Sequence, residues 1–88
     1  MHPNEIADEI RRNGRCWLSG ISLRTSANVL MEEVEAILGV SLILSELPPD
    51  WDFILSTKDN YSIREFERVA VARARLRAQG FAEDRLPT

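Results

Sequence analysis

The sequence predicts a small α+β domain, with its elements in the order α-β-α-β-β-α and a short sheet covered by helices. Three observations carry this expectation. Apolar residues from Ala27 to Leu38 recur at three- and four-residue steps, the mark of a helix with one buried face. Ser62 and Glu65 have the spacing of a capping box just before a second periodic run. Between them, "VSLILSELPPDWDFILST" (40–57) offers two β-rich segments separated by paired prolines, which neither continue a helix nor donate to a strand ladder.

The elements follow in order. A first helix runs from Pro3 or Asn4 to Asn13, with Pro3 suited to a first turn, acids toward its positive end, Arg11 and Arg12 toward its negative end, and Gly14 as the stop. Its apolar stripe, Ile6 and Ile10 with Ala7, is thin and places it at the edge of the core. Residues 15–22 read as a short strand in which Trp17 and Leu18 are buried and Gly20 marks a bulge or a close backbone approach. Thr25 or Ser26 caps the second helix, whose core stripe is Ala27, Leu30, Met31, Val34, Ile37 and Leu38, and Gly39 ends it. Residues 40–45 and 51–57 form two strands joined by "ELPPD", with Ile43, Phe53 and Leu55 turned toward the second and last helices. In the alternative, 49–56 is a short helix started by Pro49 and Asp50, and the domain is mostly helical. The last helix starts at Ser62, with Tyr61 and Phe66 as a hydrophobic staple, and runs to Gln79 with Gly80 as its stop. Residues 81–88 form a partly frayed tail in which Phe81 or Leu86 docks.

The 88 residues suit one domain with a modest core. Apolar residues at 44% and charged residues at 28% argue against disorder. A single cysteine, Cys16, provides no disulfide framework, and the first residues lack the basic and apolar pattern of an export signal. The longest largely apolar stretch, "AILGVSLIL", falls far short of the roughly 20 residues of a membrane span, so a cytoplasmic protein is expected.

Charge is unevenly distributed. The formal net charge is −3, which disfavours non-specific binding of nucleic acid by the chain as a whole. Residues 16–60 hold seven acids against Arg24 and Lys58, whereas residues 61–88 hold six arginines against four acids. At 100° per residue, Arg64, Arg68 and Arg75 of the last helix fall within about 40° of arc, while Arg73 and Arg77 project from near its apolar face. Two readings of Arg73 and Arg77 follow. Either they reach water over their long apolar stems, or they pair with the second helix's acidic face, Glu32, Glu33 and Glu35, or with carboxylates of a partner.

Reactive chemistry has few candidates. His2 is the sole histidine and lies at a terminus expected to be mobile, so a nucleophile–base pair with Cys16 has nothing to fix it. Asp50 and Asp52 resemble the start of a calcium loop, but Ile54 stands where a third oxygen ligand belongs and Leu55 replaces the glycine, so a solvated turn is the simpler role. "NYS" (60–62) has glycosylation spacing, yet Ser62 is already assigned as a helix cap. Trp17 and Trp51 read as core rather than binding platforms. No metal or cofactor is expected.

These readings converge on a non-enzymatic protein-binding module, such as an inhibitor, immunity protein, adaptor or regulatory subunit, that selects a charged protein partner electrostatically. Its candidate contacts are Glu32, Glu33, Glu35, Asp50, Asp52, Arg64, Arg68, Arg73, Arg75 and Arg77, and a homodimer is compatible with them. Two alternatives use the same residues. The basic last helix binds nucleic acid, or the acidic face with Asp50 and Asp52 imitates phosphate and occupies a nucleic-acid-binding protein.

Overall fold

A computed structural model describes residues 2–48, 52–82 and 85–86, and in them the predicted element order holds. The elements are α1 (Pro3–Asn13), β1 (Arg15–Leu18), α2 (Arg24–Leu38), β2 (Ile43–Leu47), β3 (Asp52–Ser56) and α3 (Ile63–Ala78), with a 3-10 turn at Lys58–Asn60. The helical alternative for 49–56 is excluded where it can be judged, because Asp52–Ser56 is a strand. Asp50 and Trp51 lie outside the described residues.

The sheet is antiparallel in the order β1-β3-β2. The central β3 is buried along its whole length because it has a strand on each edge and helices on each face. Its alternation assigns the two faces. Phe53 and Leu55 join Leu18 of β1 against Ile6, Ala7 and Ile10 of α1 and Ala27 and Val34 of α2. Ile54 joins Trp17 and Leu47 against Phe66 and Ala70 of α3. Each fully buried Phe, Ile or Leu contributes about 1.5–3 kcal/mol from removal of apolar surface, so this three-layer arrangement supplies most of what holds the chain together.

Several local expectations change. The first helix is a core element, since Ile6, Ala7 and Ile10 are all buried between the sheet and α2. His2 is its N-cap, its Nδ1 accepting from the Asn4 amide at 3.2 Å, so this residue is part of the helix start. β1 ends at Leu18, and Gly20, at φ +75°, belongs to the turn that follows. Leu23 precedes α2 without a side-chain cap, so Thr25 and Ser26 lie inside the first turn. In α2 the buried pair is Ala27 and Val34. Leu30, Met31 and Leu38 are partly buried against the core, and Ile37 is 38% exposed.

β2 starts three residues later than expected because residues 39–42 are needed to turn the chain out of α2. Gly39 closes the helix at φ +70°, and the Leu42 amide donates to the Glu35 carboxylate at 2.8 Å. Leu47 thereby enters the core, and Ile43 lies on the α3 side, opposite to Phe53 and Leu55. The covering is also fuller than expected, with α1 and α2 on one face and α3 on the other. The last helix begins as read. Ser62 Oγ accepts from the Glu65 amide at 3.4 Å, and Tyr61 meets Phe66 edge-on at 5.7 Å between ring centroids. Leu86 is the docked tail residue, while Phe81 is 44% exposed.

Gly14 ties two distant connections together. Its carbonyl accepts from the Thr57 amide at 2.9 Å, its φ is +76°, and a Cβ at this position would collide with the Asn60 side chain. Gly14→Ala is therefore expected to lose about 2 kcal/mol or more, since left-handed backbone alone costs an alanine about 1–2 kcal/mol. Urea denaturation followed by circular dichroism should show a lower midpoint at unchanged slope.

Candidate functional site

Most of the charged residues singled out from the sequence fall into an interior set or onto one of two exterior ridges. The interior set lies where α3 crosses β3. Asp52, the first residue of β3, faces α3, and its carboxylate accepts from Arg77 Nη1 at 2.8 and 3.0 Å and lies 3.6 Å from Arg73 Nε. Arg73 is only 2% exposed, and its guanidinium stacks 4.6 Å above the Trp17 ring. Both parts of this arrangement correct the sequence reading. Arg73 is out of water and Arg77 is only partly exposed, and both pair across the α3 side of the sheet with Asp52 rather than with α2. Asp52 is a buried anion within the fold rather than a solvated turn residue.

A second ionic contact holds the start of α3. Arg15 of β1 pairs with Glu65 at 2.9 Å, and its guanidinium lies 5.3 Å from the Phe66 ring centroid. Neither contact is legible from local pattern, because the partners are separated by 21 residues or more along the chain.

The first exterior ridge is the outer side of α2. Val29, Glu33 and Ala36 fall within about 60° of arc, flanked by Glu32 and Ile37. All five are exposed, and Val40 just beyond the helix is exposed as well. Glu35 is not part of this ridge, since its carboxylate holds the Leu42 amide. Of the acids read as a phosphate mimic, Glu32 and Glu33 lie on this ridge, Glu35 serves the backbone, Asp52 is interior, and Asp50 lies outside the described residues. The sequence reading assigned Ile37 to the core and overlooked Val29, although the apolar positions of α2 extend beyond a single stripe.

The second ridge is the outer side of α3. Arg64, Arg68, Val71 and Arg75 fall within about 60° of arc, with Glu67 on one flank, and all are exposed. This is the basic stripe expected from the sequence, without Arg73 and Arg77.

Compared with protein-family models, characterised proteins and solved structures, the chain matches none. The reading of its function therefore rests on its own residues.

The sole thiol is poorly placed for nucleophilic work. Cys16 is half-buried, and its pKa is pushed up to about 11, first by burial and then by the negative charge of Glu9, against a lowering by Arg73. It sits just past one end of α1 and His2 at the other, across a helix about 16 Å long. Among the described residues, no group of three or more His, Cys, Asp or Glu is placed to hold a metal ion, and no helix is long and apolar enough to cross a membrane.

Raising the pKa from 9.0 to about 11 lowers the thiolate fraction near neutral pH roughly 100-fold. Iodoacetamide should consequently label the native chain far more slowly than the urea-unfolded chain. The same shift makes the fold pH-dependent in one window. Below about pH 9 both states carry the proton and the contribution is intact; between about pH 9 and 11 the unfolded thiol ionises first and stability falls.

Proposed function

We propose that this chain is a non-enzymatic, cytoplasmic protein-binding module whose working surface is the outer ridge of α2. The observation that carries this reading is the exposure of Val29, Ile37 and Val40, at 54%, 38% and 48%, around the free carboxylates of Glu32 and Glu33. An apolar centre supplies affinity when it loses water, and flanking acids select a partner whose apolar patch is edged by lysine or arginine. The role of such a module is regulatory: it occupies or recruits another protein. The inward turn of Arg73 and Arg77 and the raised thiol pKa of Cys16 support a chain whose interior serves the fold and whose exterior does the work.

A photo-reactive amino acid at Val29, compared with one at the exposed Lys58 on a different element, tests this reading in cells. An adduct of defined mass is expected from position 29, and Glu32→Arg with Glu33→Arg should abolish it. Equal labelling from both positions, or an adduct indifferent to charge reversal, would remove the α2 ridge as the working surface.

One observation favours a second reading. Three exposed arginines in one ridge of α3 have the spacing to track phosphates. The acid beside them, Glu67, and the net charge of −3 weigh against it. A titration with duplex and single-stranded DNA decides: tight binding with a steep salt dependence, lost in Arg64→Glu with Arg68→Glu, would establish this alternative.

A further inference from the structure

We infer that the α2 ridge accepts a second copy of this chain, whose α3 ridge docks on it head to tail. The inference rests on the α2 ridge being a protein-binding surface and names one occupant of it. Charge is the first argument. Glu32 and Glu33 stand on one ridge and Arg64, Arg68 and Arg75 on the other, and among the described residues none of these five charges has an ion-pair partner.

Apolar content is the second argument. Val29 and Ala36 lie within the acidic ridge and Val71 within the basic one, all exposed, so each ridge has a dehydratable centre beside its charges. The third argument is placement. α2 covers one face of the sheet and α3 the other, so the two ridges of one molecule point away from each other and cannot pair within it.

Symmetry then fixes the mode. A two-fold dimer through α2 would set four glutamates against one another, and one through α3 would set six arginines together; both are repulsive. Only the heterologous pairing of α2 with the α3 of a second copy joins opposite charges. One copy of such a pair then retains an unused α3 ridge and the other an unused α2 ridge, so association continues rather than stopping at two.

The experiment is sedimentation of the full chain over a range of concentrations, at about 10 mM and about 1 M salt, where the screening length falls from about 30 Å to about 3 Å. At low salt the weight-average mass should rise continuously past about twice the monomer value without a plateau, and at high salt it should return toward the monomer. Glu32→Arg with Glu33→Arg, and separately Arg64→Glu with Arg68→Glu, should each leave the chain monomeric. Mixing the two variants, or combining all four changes in one chain, should restore association, because opposite charges again meet.

All four positions are exposed, and an unchanged circular dichroism spectrum establishes that each variant folds. A wild-type chain that stays monomeric at low salt, variants that associate as before, or a mixture that fails to recover each overturns the inference. If the Val29 adduct nevertheless forms with a different protein, the proposed function stands and only the identity of this occupant is lost.

Discussion

Replacing Asp52 with asparagine is expected to destabilise the fold by about 3–5 kcal/mol, the range for breaking a buried ion pair from one side. The change preserves shape and removes only charge. It removes a negative charge that lies 3.6 Å from Nε of the Arg73 guanidinium, a group almost wholly out of water. Arg77 also loses a two-oxygen contact, but its side chain is 23% exposed and can turn toward solvent. An exposed pair provides the internal comparison. Asp8 and Arg11 lie 2.9 Å apart with more than half of each side chain in water, and Asp8→Asn should change stability by less than about 1 kcal/mol. Urea denaturation of the two variants side by side measures the difference. Equal small losses would mean that the Asp52 site is wetter than its burial indicates.

Phe66→Ala is expected to lose about 3–5 kcal/mol, the usual cost of truncating a buried aromatic ring. Phe66 is fully buried and is the hub of the α3 layer. It receives the Trp17 ring edge-on at 6.5 Å and the Tyr61 ring at 5.7 Å, while Arg15 covers it. Its removal leaves a cavity bounded by groups that the sheet and the helix cap hold in place. Since small domains have total stabilities of about 5–15 kcal/mol, this variant should melt many degrees lower or be partly unfolded at room temperature. Phe66→Leu, which refills much of the space, should recover a large part of the loss. A calorimetric scan of the three proteins checks both statements.

What the sequence reveals here is what local chemistry encodes. Gly14 and Gly39 stop helices because left-handed backbone suits glycine, and Ser62 and Tyr61 start α3 through contacts within one turn. Both are legible without a partner element. The helical angle of Arg73 and Arg77 likewise places them beside the apolar face of α3. Their counter-ion was not legible, because Asp52 comes from a strand far away in the chain and meets them only once β3 lies under α3. The bounds of β2 depended on how many residues the exit from α2 would use, and that is settled by the Glu35 contact to Leu42. Of the candidate surface, the arginine ridge was visible as periodicity. The α2 ridge was only half visible, because a run of apolar residues does not say which of them tertiary packing will leave outside.

The order of strands in the sheet has a consequence for how this polypeptide comes to be made. β1 has one neighbour, β3, and Arg15 lies opposite Ser56, so the earliest strand to be synthesised waits for the last. While a ribosome is still translating the middle of the message, Trp17 and Leu18 have no edge to join, and α1 and α2 have no sheet to lie on. Completion of β3 closes both ladders at once, and folding of the nascent chain should therefore be abrupt and late rather than stepwise.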